Sequence, residues 1–378
     1  MNREGVQSTV LDMIYLISCA VNRTAPDPGR VQAMDPTKVY AIAERHLLSA
    51  AVAMALESAG YRDVQSTRAI ANAVRRTALF DAERTAVLKK LEEAGIWYMP
   101  LKGSVLKDLY PLPGMRQMSD VDILYDASRE EDIRIIMGGF GFSIDPLSKP
   151  SRCDDYLKPP VCSFEMHRAL FGPDHDERLT EYYQDVKSRL LLDEGFAYRY
   201  HFNDEDFYIY MIAHEYEHYS GSGTGLRSLL DTYVFCQKMG EALDWGYING
   251  ELHKLDLADF EKQNRSLALH LFGGKALTVQ DQAMLDYILS SGTYGTFQNE
   301  LRNKLTAYGE GSIAKCRYLL NRLFFFPIHR RNKKYDFYAW SYPFFYKHKL
   351  LLPLLPAYRL IRKWPKAKVE LRILFRMR

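Results

Sequence analysis

The spacing of apolar positions changes several times along the chain. Up to about residue 94 it is helical. Asp35-Pro36 reads as a helix cap with proline at the first helical position, alanine-rich periodic sequence runs on to Gly60, and a second helix is predicted over 64–94, stopping at Gly95. The apolar run Ile96-Trp97-Tyr98-Met99-Pro100-Leu101 then ends at Lys102-Gly103-Ser104, a strand turning into a helix. Over 119–126 the pattern alternates, with Val121, Ile123 and Tyr125 on one face and Asp120, Asp122 and Leu124 on the other. A helix over 128–137, a Gly138-Gly139 turn and a strand near Phe142 follow. A second alternating segment, 161–170, sets Ser163, Glu165 and His167 against Cys162, Phe164 and Met166. Beyond Gly172 helical spacing returns, notably over 205–219 and 226–239, with a Gly-Ser-Gly-Thr-Gly linker at 221–225 between them.

Strands interleaved with helices between helical flanks predict an α+β protein with a small mixed sheet. The expected regions are a helical N-terminal part (1–94), the mixed core (95–172), a helical C-terminal domain (173–326) and a basic, aromatic tail (327–378).

Composition refines this picture in three places. Five cysteines are scattered without C-x-x-C spacing, which argues against a disulfide framework or a thiolate metal site and suits a reducing, cytoplasmic setting. The apolar stretch 10–21 is short and holds Asp12, so it reads as a buried helix rather than a signal peptide. No run approaches the roughly 18 apolar residues needed to cross a bilayer. The net charge of +3 conceals an asymmetry: from Pro327 to Arg378 there are fourteen Lys/Arg against Asp336 and Glu370, leaving −9 on the rest.

The chemistry is carried by the alternating strands. Asp120 and Asp122, side by side on one strand face, repel one another unless a cation compensates. Magnesium or manganese suits such hard oxygen ligands and keeps positions for water and phosphate. Glu165 on a neighbouring strand completes a two-metal set, one ion activating an attacking hydroxyl and the other neutralising leaving pyrophosphate. The Gly103-Ser104 turn offers backbone N–H groups and a hydroxyl for a triphosphate, and Lys102 and Arg116 add positive charge, the arginine able to grip phosphate bidentately.

Leu-Lys-Gly-Ser at 101–104, Arg116 and Ser-Asp-Val-Asp-Ile-Leu at 119–124 resemble the Gly-Ser and Asp-x-Asp pattern of the polymerase-β-like nucleotidyltransferase superfamily. The closer likeness is to its branch of uncharacterised bacterial nucleotidyltransferases, where a later Glu-x-His strand recurs; Glu165-Met166-His167 stands in that place. The likeness is specific over about 98–170 and looser to about Asp231. It implies transfer of a nucleoside monophosphate from an NTP such as ATP to an unidentified acceptor hydroxyl, with Asp120, Asp122 and Glu165 as metal ligands and Lys102, Gly103, Ser104 and Arg116 as phosphate contacts. Glu165 is read as a metal ligand or as the group that helps deprotonate the acceptor. His167 is read as a hydrogen-bonded supporting residue. A folded but inactive nucleotide-binding module is the quieter alternative.

A rival motif lies downstream. His214-Glu215-Tyr216-Glu217-His218 matches the zinc-protease pattern H-E-x-x-H, with Asp231 or Glu241 as third-ligand candidates. The same helix, with Arg227 or Asp231, can instead border the nucleotide cleft. In the tail, Phe324-Phe325-Phe326, Trp340, Phe344-Phe345-Tyr346 and Trp364 alternate with basic residues, and Pro343, Pro353 and Pro356 interrupt any long helix. Such a mixture suits packing on the acidic body, peripheral contact with an anionic membrane, or nucleic acid.

Overall fold

The computed structural model describes residues 3–145, 152–172, 175–293, 295–306, 308–309, 311–329 and 335–362. Five helices come first: α1 (Arg3–Asn22), α2 (Pro28–Ala33), α3 (Pro36–Arg45), α4 (Ser49–Ser58) and α5 (Val64–Glu93). The Asp35 side chain caps α3 by accepting from the Lys38 N–H, with Pro36 inside the first turn, and Asp63 caps α5 in the same way at the Ser66 N–H. The alanine-rich run up to Gly60 is two helices rather than one. The chain breaks at Leu47, whose φ is 55°, and resumes at Ser49. The break turns His46 inward, where its Nδ1 accepts the N–H of Leu226. Burial lowers the imidazole pKa to about 4, so the ring is neutral and able to accept.

The mixed region follows: β1 (Tyr98–Pro100), α6 (Gly103–Leu106), β2 (Val121–Tyr125), α7 (Glu130–Gly139), β3 (Ser143–Ile144), β4 (Cys153–Lys158) and β5 (Cys162–His167). The sheet order is β1-β2-β5-β4-β3, with β2 and β5 parallel and every other pair antiparallel. Two local expectations change. The helix after Lys102-Gly103 is a single turn, and Gly138-Gly139 ends α7 instead of forming the turn, which falls at Gly141 with φ 80°.

The alternation read from the sequence sorts the sheet's faces. Val121, Ile123, Tyr125, Cys162, Phe164 and Met166 pack with Phe80, Val87 and Leu91 of α5 and Ile133, Ile136 and Met137 of α7. The opposite face of β2 and β5 carries Asp122 and Glu165, followed by Leu124 and His167.

Helices then return: α8 (Glu177–Tyr182), a two-stranded β6 (Leu191–Leu192) and β7 (Tyr200–His201), α9 (Asp204–Ser220), α10 (Leu226–Met239), α11 (Trp245–Lys254), α12 (Ala258–Phe272) and α13 (Val279–Ser291). Residues from α1, α3 and α4 share one core with residues from α10, α12 and α13, so the two helical flanks pack on each other.

The last described elements are α14 (Phe297–Thr306), α15 (Gly311–Phe324), α16 (Tyr335–Ser341), α17 (Pro343–Lys347) and α18 (Leu355–Arg362). Tyr335, Tyr342, Phe345, Tyr346, Leu352 and Leu355 pack mainly on one another. Ten of the tail's fourteen basic residues, and Trp364, lie outside the described residues. Among the described residues no helix is long and apolar enough to cross a membrane.

Candidate active site

The sheet register sets Asp122 directly beside Glu165 across the parallel β2–β5 pair, with Asp120 two residues earlier and Asp155 of β4 on the other side of Glu165. Asp120, Asp122 and Glu165 line one cavity of about 320 Å³ together with Lys102, Gly103 and Arg116. The other wall comes from α9 and α10, with His214, His218, Arg227 and Asp231.

The carboxylates differ in surroundings. Asp122 accepts a hydrogen bond from His167 Nε2 at 3.0 Å, and the same nitrogen stands 3.5 Å from Glu165. Burial works to raise the Asp122 pKa, but the His167 bond and charge, with Lys102 and Arg152, outweigh it and hold the group below its ordinary value. His167 is itself raised: its bonds to Asp122 and Glu165 overcome the desolvation that opposes its charge. Asp120 accepts from the Ser119 hydroxyl, at 3.1 Å, its one side-chain partner among the described residues. Burial, then the charges of Asp122 and Glu165, push its pKa up to about 6. Glu165 retains 32% side-chain exposure and faces the cavity.

The cations sort into held and unheld. Arg116 forms a two-bond pair with Asp231, Nε to Oδ1 and Nη2 to Oδ2, both 2.8 Å, and Tyr110 adds a hydroxyl bond to Asp231 at 2.6 Å. The edge of the guanidinium read as a phosphate grip is thus committed, leaving Nη1 against Met118 Sδ. A Cβ on Gly103 would lie 3.0 Å from Arg116 Nη1 and from Met118 Cε, so glycine permits this close approach. Arg152 bonds the Leu170 carbonyl at 2.8 Å and lies 3.6 Å from Glu217. Lys102 and Arg227 have no ion pair within 4.0 Å among the described residues. Among the described residues Arg227 donates to the Gln117 carbonyl alone, at 2.9 Å, and its Nε is buried without a partner. Desolvation lowers the Lys102 pKa to about 8, opposed by Asp122, Asp120 and Glu165.

Ser104 stands apart from this group. Its N–H donates to the Leu101 carbonyl, its Oγ is buried without a partner, and the residue lines a neighbouring hollow with Arg84 and Tyr98. Arg152 escaped the sequence reading because it enters the cavity from the irregular stretch before β4, where no periodic pattern points to it.

On α9, His214 and His218 sit side by side, ring centroids 4.5 Å apart, and face the same cavity. Glu215 is 4% exposed and accepts from Asn264 Nδ2 at 3.0 Å and Thr232 Oγ1 at 3.4 Å, binding α9 to α12 and α10. Asp231 is occupied by Arg116, and Glu241 is exposed beyond the end of α10. Among the described residues, the group of three metal-ligating side chains with ligand atoms mutually within 4.8 Å is Cys153, Glu165 and His167, not the histidine pair.

A small mixed sheet thus carries acidic side chains on its open face, and α9 and α10 close the cavity opposite them. The chain belongs to the family described as uncharacterised nucleotidyltransferase, which matches residues 32–273. The match reaches well past the strands, from α3 through α12, and so includes the helical wall of the cavity. No curated protein and no solved structure matches the chain.

Proposed function

We propose that this chain moves a nucleoside monophosphate from an NTP to an acceptor hydroxyl in a reaction that depends on a divalent cation. The observation that carries this reading is the pairing of Asp122 with Glu165 beside Asp120, on a sheet face that opens into a cavity holding two cations free of ion pairs, Lys102 and Arg227.

The residues suit magnesium or manganese. Three carboxylates share one face, burial together with the charges of Asp122 and Glu165 raises the Asp120 pKa, and every oxygen is a hard donor. Magnesium usually keeps several waters and substrate phosphate oxygens among its ligands, so one or two of these carboxylates suffice to hold it. Bound there, the cation supplies neutralisation of phosphate charge and a more acidic acceptor hydroxyl.

The protein groups then divide the remaining work. His167 fixes the Asp122 carboxylate. Lys102, Arg227 and the Gly103 backbone hold triphosphate oxygens. Glu165, the more exposed of the β2–β5 pair, stands where it can ligate the cation or take the acceptor proton. The acceptor oxygen forms a bond to the α-phosphorus as the bond to the bridging oxygen breaks, and pyrophosphate departs.

Calorimetric titration with ATP and the other NTPs in the presence of magnesium is expected to give binding that Asp120→Asn/Asp122→Asn weakens strongly. Transfer of labelled α-phosphate to components of a cell extract is expected to fall by about a thousandfold or more in that variant. Failure of every NTP to bind the intact protein would overturn the reading. Binding with no pyrophosphate released for any acceptor pool would reduce the chain to a nucleotide-binding module.

A further inference from the structure

Beside the carboxylates, the β4–β5 register sets Cys153 opposite His167, on the face that also carries Glu165. Cys153 and Glu165 are twelve residues apart, and no sequence motif joins them. In the fold, Cys153 Sγ, a Glu165 oxygen and a His167 ring nitrogen all lie within 4.8 Å of one another.

Each of the three has capacity to spare. His167 is 3% exposed; its Nε2 engages Asp122, while its Nδ1 is buried with no partner. Cys153 makes one long contact, to Asp155 Oδ1 at 4.0 Å. Glu165 keeps its 32% exposure to the cavity.

Sulfur, imidazole nitrogen and one carboxylate are the ligands of a borderline or soft ion, which magnesium, seeking near-octahedral oxygen, does not favour. We propose that Cys153, Glu165 and His167 form a second cation site, selective for thiophilic divalent ions with zinc foremost, that shares Glu165 with the nucleotidyl-transfer site. Three protein ligands leave the fourth zinc position for water. Occupancy draws Glu165 out of the magnesium site and strains the His167 bond that fixes Asp122, so zinc acts as a brake on turnover. The braking rests on the function proposed above; the binding does not.

Cobalt(II) reports thiolate ligation directly. The full chain, stripped of metal and titrated with cobalt(II), is expected to bind one equivalent with a near-ultraviolet thiolate-to-metal charge-transfer band that zinc displaces. C316S, which removes an exposed cysteine, is expected to keep the band, and C153S and C153A to lose it while retaining the circular dichroism of the parent. Zinc affinity is expected to fall by about tenfold or more in C153S. Absence of the band, or its survival in folded C153S, would overturn the site. Zinc is expected to inhibit magnesium-supported NTP turnover in the parent and less so in C153S; equal inhibition in both would overturn the brake. The cobalt spectrum needs no turnover, so its failure and a failure of the proposed activity are read separately.

Discussion

The sheet wall of the cavity presents acids whose one cationic hydrogen-bond partner among the described residues is His167. Two of the cavity's cations, Arg116 from the stretch before β2 and Arg227 on α10, show opposite designs. Arg116 is gripped by Asp231 through two bonds, with Tyr110 closing the network. Arg227, four residues before Asp231, has one carbonyl and an orphaned Nε. A buried guanidinium paired with a carboxylate on the spot is a structural element whose loss of one partner is strongly destabilising. One left without a counter-charge has donors to spare, and in the proposed function it takes a phosphate oxygen. The contrast sets a paired guanidinium against an unpaired one in the same cavity, and it can be broken from either end.

The largest effect is expected at Asp231. Asp231→Ala leaves the Arg116 charge and the Tyr110 hydroxyl buried without their acceptor, and urea unfolding is expected to show a loss of about 3–5 kcal/mol. The double replacement R116M/D231L, which removes both charges, should recover most of that loss. A cost for Asp231→Ala below about 1 kcal/mol would mean that Arg116 swings readily into the cavity, and the division between the two arginines would fail.

Arg227→Gln should do the reverse. Its affinity for magnesium-ATP is expected to drop by about 10–100-fold, in line with about 1.5–3 kcal/mol for a charge-assisted bond, while its melting temperature holds or rises. Burial and the neighbouring Arg116 lower the Arg227 pKa, so removing this side chain relieves an electrostatic cost of folding. Unchanged affinity with a lowered melting temperature would place Arg227 among the structural residues.

The two walls also differ in how readily they are read from sequence. The sheet wall is legible where period-two alternation is clean: Asp120, Asp122 and Glu165 stand out because Val121, Ile123, Phe164 and Met166 mark the other face. Strand β4 is not, because its inward face carries Asp154 as well as Tyr156. Asp154 is 5% exposed and satisfied by Arg168 at 2.9 and 3.2 Å, so the hydrophobic pattern that announces a strand is broken by a buried ion pair. The helical wall depends on tertiary pairing. Arg116 and Asp231 lie 115 residues apart, and nothing local to Arg116 announces that its guanidinium is spoken for. The helix break at Leu47 is similar: its purpose, His46 receiving the Leu226 N–H, spans 180 residues. Helix caps such as Asp35 and Asp63, being local, are legible in advance.

The smallest effect separates the helical wall from the zinc-protease pattern it contains. Burial pushes the Glu215 pKa up to about 8, against the Asn264 and Thr232 hydrogen bonds that favour the anion. Below pH 4.5 the group is protonated in both folded and unfolded chains and contributes no pH dependence. Between about 4.5 and 8 the folded protein keeps a proton that the unfolded chain has released, so this group's contribution to stability declines as pH rises, and levels off above 8. Glu215→Gln copies the neutral form at every pH. Its melting temperature is expected to match the parent at pH 5 and to exceed it by about 2 °C or more at pH 8.5, with nucleotide affinity unchanged. A zinc-protease glutamate would behave otherwise: the same substitution would leave the pH profile of stability alone and abolish hydrolysis of a peptide pool. Parallel melting curves for the two proteins from pH 5 to 8.5 would mean that Glu215 is ionised in the fold, and the helical wall would then carry one more acid facing the sheet's three.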